Sequence, residues 1–202
     1  MSHSITIQPT VLSLLSENLE GKRVLDVGIG HGQWGYILRT WKPGHPYIIG
    51  VEPYVPYIEN AGRVGIYNEL HTMTGQQYLA ENLEAKFDAI LLCEVLEHHR
   101  IKEEAWDLLE ELEKRLNPGG ILILSTPDGH STGAANYDGN ELNDHPIGFR
   151  AREFVDRGYQ TKRILKEGFT LGHIVGPIAF VWWTLRWRRR PATHTVVAWR
   201  RC

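Results

Sequence analysis

The stretch RVLDVGIGHGQWGYIL, residues 23–38, decides what kind of sheet this chain builds and what that sheet holds. Val24, Leu25 and Val27 read as a buried strand, the glycines after them as a tight turn, and residues 32–41 as the helix that follows. Two glycine frames compete inside it. Gly30, Gly32 and Gly35 satisfy the G-x-G-x-x-G spelling of a dinucleotide site, whereas Gly28, Gly30 and Gly32 form an earlier frame with Asp26 inside the strand. Both frames bring bare backbone close to a ligand and aim helix-start N–H groups at it. Asp26 separates them, because a carboxylate beside the loop repels a pyrophosphate and attracts an ammonium or sulfonium. Starting the motif at Gly30 also leaves Val27 and Gly28 as an awkward extension between strand and loop.

Outward from that stretch, short apolar runs alternate with amphipathic ones. Residues 46–52 (PYIIGVE) read as a second strand ending in Glu52, 54–62 as a short helix, 64–70 (VGIYNEL) as a third strand, and 75–84 as a helix. Residues 87–95 (FDAILLCEV) form a continuous apolar run, as in a strand covered on both faces. Residues 102–116 carry Trp106, Leu108, Leu109, Leu112 and Leu116 as a helical stripe, NPGG at 117–120 stops it, and 121–127 (ILILSTP) is another buried strand. Before all of these, residues 9–20 place Val11, Leu12, Leu14, Leu15 and Leu19 at helical spacing. Alternation of this kind predicts an α/β fold with a parallel, doubly wound sheet whose ligands sit at the carboxyl ends of the strands. Residues 28–32, Glu52, 75–77, 93–98 and 126–128 then share one rim.

The whole chain sets bounds on function. Its 202 residues suit a single domain spanning 1–202, and 42% hydrophobic with 23% charged residues is an ordinary globular composition. A net charge of −2 offers no global field for nucleic acid or an anionic membrane. Cys93 and Cys202 are too few for a disulfide framework or a zinc cluster, so a reducing, cytoplasmic setting is expected. Residues 1–10 lack the basic start and apolar core of a signal peptide, and no stretch is long enough to span a bilayer.

S-adenosylmethionine meets the demands of the Asp26 frame: an adenosine for the glycine loop, ribose hydroxyls for Glu52, and a cationic methionine end for the acidic side. The segments VLDVGIGHG (24–32), VE (51–52), FDAILLCEVLEHH (87–99), RLNPGGILILSTPDG (115–129) and KEGFTLGHI (166–174) resemble, in order and spacing, the class I S-adenosylmethionine-dependent methyltransferases. The resemblance covers residues 23–175 and continues to a final strand near 193–200. It implies a mostly parallel, seven-stranded Rossmann-like sheet with an antiparallel last strand. It also implies a cofactor site made by Asp26, Gly28, Gly30, Glu52 and the adjoining Pro53. Members often carry an acid after the third strand; this chain has Gly75, Gln76 and Gln77 there, with Gln76 able to reach an adenine. Cys93 and Glu94 complete the expected cofactor set, Glu94 toward the methionine end.

The acceptor side is expected from CEVLEHH and the loop after 127. Glu94, Glu97 and His98 stand three and four apart, so one helical turn would set them on one face, while His99 and Arg100 are expected in solvent. His98 is a candidate general base toward a hydroxyl, joined by His145 from the loop at 128–149, whose other candidate contacts are His130 and Tyr137. Similarity to ubiquinone-biosynthesis-type and related small-molecule methyltransferases implies methyl transfer to a small or medium-sized acceptor, at oxygen. The alternative resemblance is to small-RNA terminal 2′-O-methyltransferases, in which Glu94, Glu97, His98 and His145 would hold a divalent metal. No metal is expected, since nothing in the sequence guarantees His145 a position, and a nucleic-acid partner is not expected either. A cofactor-binding module without catalysis is the non-enzyme alternative. In the arginine- and tryptophan-rich end, Val181, Trp183, Leu185 and Trp187 alternate as a half-buried strand, with Pro191 turning into the last strand.

Overall fold

A computed structural model describes residues 4–129, 140–165 and 194–202. The strands are β1 (Arg23–Val27), β2 (Tyr47–Val51), β3 (Glu69–His71), β4 (Phe87–Cys93), β5 (Leu116–Pro127), β6 (Gln160–Leu165) and β7 (His194–Arg201). The helices are α1 (Ser4–Leu14), α2 (Gln33–Trp41), α3 (Val55–Val64), α4 (Gly75–Glu81), α5 (Lys102–Lys114) and α6 (Ala151–Val155). One seven-stranded sheet has the order β3-β2-β1-β4-β5-β7-β6. Pairing is parallel from β3 across to β5, and β7 runs antiparallel to both β5 and β6. The expected doubly wound sheet with an antiparallel last strand is therefore the observed one.

Chain order reverses between β1 and β4, and a crevice opens at the carboxyl ends of strands where order reverses. That places the turn after β1 beside the turn after β4. Side-chain alternation makes two cores. Leu25, Val27, Ile49, Val51 and Leu92 face α4 and α5, where Trp106, Leu108, Leu109 and Leu112 form the predicted stripe. Val24, Ile48, Leu91 and Ile123 face α1 and α2, against Val11, Trp34 and Leu38. Each fully buried leucine or isoleucine contributes about 1.5–3 kcal/mol, so the rim stands on a stiff floor.

Three boundaries differ from the periodicity. α1 runs from Ser4 to Leu14 with Pro9 inside it, and the apolar spacing continues beyond its end. Leu15 and Leu19 are still buried, but the Leu19 N–H bonds the Pro43 carbonyl at 2.8 Å instead of continuing a helix. β3 starts at Glu69, because Tyr67 turns its ring toward the α2 side of the sheet. β5 begins at Leu116 and carries the NPGG segment through an irregular register between Phe87 and Ala89 of β4. The proposed strand at 181–187 lies outside the described residues, and both edges of β7 are taken by β5 and β6. Among the described residues no helix is long and apolar enough to cross a membrane.

Candidate functional site

The turn after β1 is held in left-handed backbone by Gly28 (φ 72°), Gly30 (φ 51°) and Gly32 (φ 79°), the last capping α2. Gly28 donates its N–H to the Val51 carbonyl at 2.8 Å, and a Cβ built there would lie 2.4 Å from Val95 Cγ2. Left-handed strain and overpacking together should make Gly28→Ala cost about 2–5 kcal/mol, a melting-temperature loss of roughly 4–20 °C. Gly30→Ala meets nothing within 4 Å and should lose only the backbone part, about 1–2 kcal/mol. Thermal denaturation of the two variants checks this, and equal losses would refute the steric account.

Asp26 is fully buried at the end of β1. Its Oδ2 accepts the Tyr67 hydroxyl at 2.7 Å, and its Oδ1 has no hydrogen-bond partner among the described residues. Burial pushes its carboxyl from the ordinary 3.8 up to about 7; the Tyr67 hydrogen bond opposes that rise and the charge of Glu52 adds to it. A raised carboxyl keeps its proton in the folded chain after the unfolded chain has lost it. Asp26 therefore draws on stability increasingly as pH rises from about 4 to about 7. A spare acceptor oxygen on a costly buried acid fits a ligand with a cationic end.

Glu52, 7% exposed, follows β2. Its Oε2 accepts the Gly30 N–H at 3.0 Å and its Oε1 the Tyr54 N–H at 3.0 Å. Each oxygen keeps a second lone pair for a ribose hydroxyl. Burial raises the Glu52 carboxyl, and those two N–H groups pull it back. Pro53 is half-buried in the turn into α3, beside an aromatic group absent from the sequence reading: His31 and Tyr57 rings lie 4.4 Å apart, and Tyr54 and Tyr57 4.9 Å. The spelling VEPYVPY was the available signal, because aromatics directly after a strand-end acid stay at the rim.

After β3, Gly75 opens α4 tight against β1, where a Cβ would lie 2.8 Å from Val27 Cγ1. Gln77 is committed to a capping box with Thr74, so it has no adenine role. Gln76 is exposed and reaches His99 Nε2 at 2.8 Å. His99, expected in solvent, is half-buried, and that burial lowers its pKa. Arg100 is exposed as expected.

Cys93 ends β4 as a buried thiol whose pKa burial drives well upward, so it packs rather than reacts. Glu94 has φ 58°, the one non-glycine residue with positive φ among the described residues. Its N–H bonds the Ser125 carbonyl at 2.8 Å and its Oε1 accepts the Ser125 hydroxyl at 3.0 Å. Strained backbone of this kind persists where the surroundings over-determine it, typically at functional sites. Its consequence corrects the one-face expectation: Glu94 turns to β5, and the 3-10 turn Leu96–His98 carries Glu97 and His98 elsewhere.

Glu97 is 1% exposed, and His98 and His145 meet it there: one ligand-type atom of each lies within 4.8 Å of the others. The two imidazoles are 4.7 Å apart at 74°. His98 Nδ1 lies 2.9 Å from the Asp144 carbonyl, which makes it the donor and leaves Nε2 as the lone pair. The expectation that His145 has no fixed place does not hold. Its segment is anchored by the Asn140 cap of Leu142 and by the Gly129 N–H on the carbonyl of buried Phe149 at 2.6 Å. His130 and Tyr137 lie outside the described residues.

A family model described as a methyltransferase domain matches residues 6–177. The tRNA U34 carboxymethyltransferase of Citrifermentans bemidjiense is 35% identical over 112 residues, covering 54% of this chain and 33% of that protein. The chain thus matches about a third of the length of such curated relatives. An uncharacterized protein of Haemophilus influenzae is 28% identical over 184 residues, 85% of this chain and 68% of that one. Among solved structures, an S-adenosylmethionine-dependent methyltransferase from Archaeoglobus fulgidus superposes with a TM-score of 0.66 at 15% identity, covering 100% of this chain and 95% of that one.

Proposed function

The chain belongs to the methyltransferase-domain family, and from that premise we propose that it methylates a hydroxyl oxygen held against Glu97, His98 and His145. It is an S-adenosylmethionine-dependent methyltransferase. When bound, the cofactor supplies an electrophilic methyl group on a positively charged sulfur. The residues we assign to its pocket are Asp26, Gly28, Gly30, Glu52, Pro53, Gly75, Gln76, Cys93 and Glu94. Gly28 and Gly30 let the backbone approach, Glu52 takes the ribose hydroxyls, and the buried charge of Asp26 favours the cationic end. Gln76, bridged to His99, closes the adenine side.

The observation that carries the acceptor chemistry is the orientation of His98. With Nδ1 committed to the Asp144 carbonyl, Nε2 can take a hydroxyl proton. The Glu97 carboxylate beside it favours the imidazolium that results, and His145 packs across the ring. Alignment and exclusion of water do the rest. The acceptor in this reading is a small or medium-sized hydroxy compound.

A second reading has its own support. The relatives named tRNA U34 carboxymethyltransferase favour a nucleic-acid acceptor, and the cluster of Glu97, His98 and His145 has the donor set of a divalent-cation site. One experiment separates them. Radiolabelled S-adenosylmethionine is offered to hydroxylated small molecules and to bulk tRNA, each with and without exhaustive chelation. Label on a small hydroxy acceptor, unaffected by chelation, is expected. Label on tRNA alone, lost on chelation and restored by manganese, would establish the second reading. No labelled product, with S-adenosylhomocysteine still bound, would leave a cofactor-binding module.

A further inference from the structure

Tyr67 enters the α2 side of the sheet from the segment just before β3, and three glycines make room for it. A Cβ built at Gly35 would lie 2.5 Å from Tyr67 Cζ, one at Gly50 2.8 Å from Cδ1, and one at Gly32 3.3 Å from Cε2. These glycines sit on two separate elements, the start of α2 and the middle of β2, and no single turn demands all of them. Filling that space would need only a phenyl ring. The hydroxyl is the extra part: it accepts the Gly35 N–H at 3.2 Å and donates to Asp26 Oδ2 at 2.7 Å. One phenol thereby ties the first turn of α2 to the acid that precedes the glycine loop, and leaves Asp26 Oδ1 buried with no hydrogen-bond partner among the described residues.

We propose that Tyr67 is a positioning residue for S-adenosylmethionine, holding the buried Asp26 carboxylate charged and fixed at the end of β1 so that its negative charge favours the cationic methionine end. The proposal rests on the cofactor assignment and adds the residue that makes the pocket discriminate charge. The groups facing Asp26 are Tyr67, Glu52 and the neutral thiol of Cys93. Burial and Glu52 both favour the protonated acid, and the Tyr67 hydroxyl is what opposes them. Tyr67 itself stays a donor throughout, since burial and the Asp26 charge push its ionisation far above the usual phenol range. The sign follows. A cation binds the carboxylate and not the acid, so affinity rises with pH until Asp26 is ionised, near pH 7. Removing the hydroxyl moves that limit upward.

The test measures binding to the full chain by calorimetry from about pH 5.5 to about pH 8; the S-adenosylhomocysteine ammonium sits beside its own carboxylate, titrates above a peptide N-terminus and stays largely protonated over that range. The probes are S-adenosylhomocysteine, which has the ammonium, and 5′-methylthioadenosine, which lacks it. In the wild type, S-adenosylhomocysteine affinity should climb about tenfold per pH unit at the acid end and flatten above about pH 7, with 5′-methylthioadenosine flat throughout. Tyr67→Phe keeps the ring and should bind S-adenosylhomocysteine about tenfold more weakly at pH 7, still climbing at pH 8, with 5′-methylthioadenosine unchanged. Asp26→Asn should abolish the pH dependence. A carboxyl-carbon NMR titration of Asp26 in the ligand-free chain should show the same upward move in Tyr67→Phe. Equal losses for both probes at every pH would mean that Tyr67 only fills space, and a wild-type profile identical for both probes would overturn the proposal without any variant. Failure of S-adenosylhomocysteine to bind at any pH would instead strike the cofactor assignment itself.

Discussion

His98→Ala should lower methyl transfer by about 10²–10⁴-fold, the usual worth of a positioned general base, while S-adenosylhomocysteine affinity changes by less than about twofold. The separation between the two readouts follows from where His98 stands. It is half-buried on the turn after β4, facing Glu97 and His145 and bonded to the Asp144 carbonyl. The residues assigned to the cofactor stand at the ends of β1 and β2, at the start of α4, and at Cys93 and Glu94 where β4 ends, while the His98 ring is bonded to Asp144 and packed on His145. Losing the imidazole therefore removes the proton acceptor and spares the cofactor. His98→Gln restores a group that can hydrogen-bond Asp144 but takes no proton, so it should be as inactive as alanine. A purely structural His98 would be rescued by glutamine, and that rescue would sink the acid–base role. His145→Ala should cost less, because His145 supports the His98 ring edge-on.

The parts of this molecule visible in the sequence are those written in local patterns. Residues 87–95 form a continuous apolar run, β1 is apolar on both sides of Asp26, and α5 carries its stripe on one face, so sheet and helix type are legible directly. Asp26 and Glu52 stood out because charge at the ends of buried strands has no packing reason. What escaped depends on distant partners. Tyr67 looked like a strand residue, and its role appears only with Asp26, 41 positions away. Helical spacing at Leu15 and Leu19 predicts α1 as far as Glu20, although both are buried from a non-helical segment. Glu94 was grouped with Glu97 and His98 because i, i+3 and i+4 share a face in a regular helix. The left-handed backbone at Glu94 breaks that geometry, and the real third member, His145, comes from 47 positions after His98, next to the Asp144 whose carbonyl His98 bonds.

Glu52→Ala should weaken S-adenosylhomocysteine binding by about 10²–10⁴-fold, more than the loss of a ribose contact alone. Glu52 has two tasks, and only one of them faces the ligand. Its oxygens already accept the N–H groups of Gly30 and Tyr54, so the carboxylate clamps the glycine loop to the end of β2 before any cofactor arrives. Hydrogen bonds to a charged group contribute about 1.5–3 kcal/mol each, and losing two such contacts gives the stated range. The same loss should appear without ligand as a lower melting temperature, because two backbone donors near the rim lose their acceptor. Glu52→Gln divides the tasks. Its amide oxygen can still accept one N–H, but its NH₂ must face the other donor, so the loop should loosen on one side and affinity should fall to an intermediate level. Glu52→Asp keeps the charge and shortens the reach by one methylene, which separates charge from clamp length. If alanine and glutamine both lowered affinity about tenfold and left the melting temperature unchanged, Glu52 would serve the ribose alone and the clamp would be incidental.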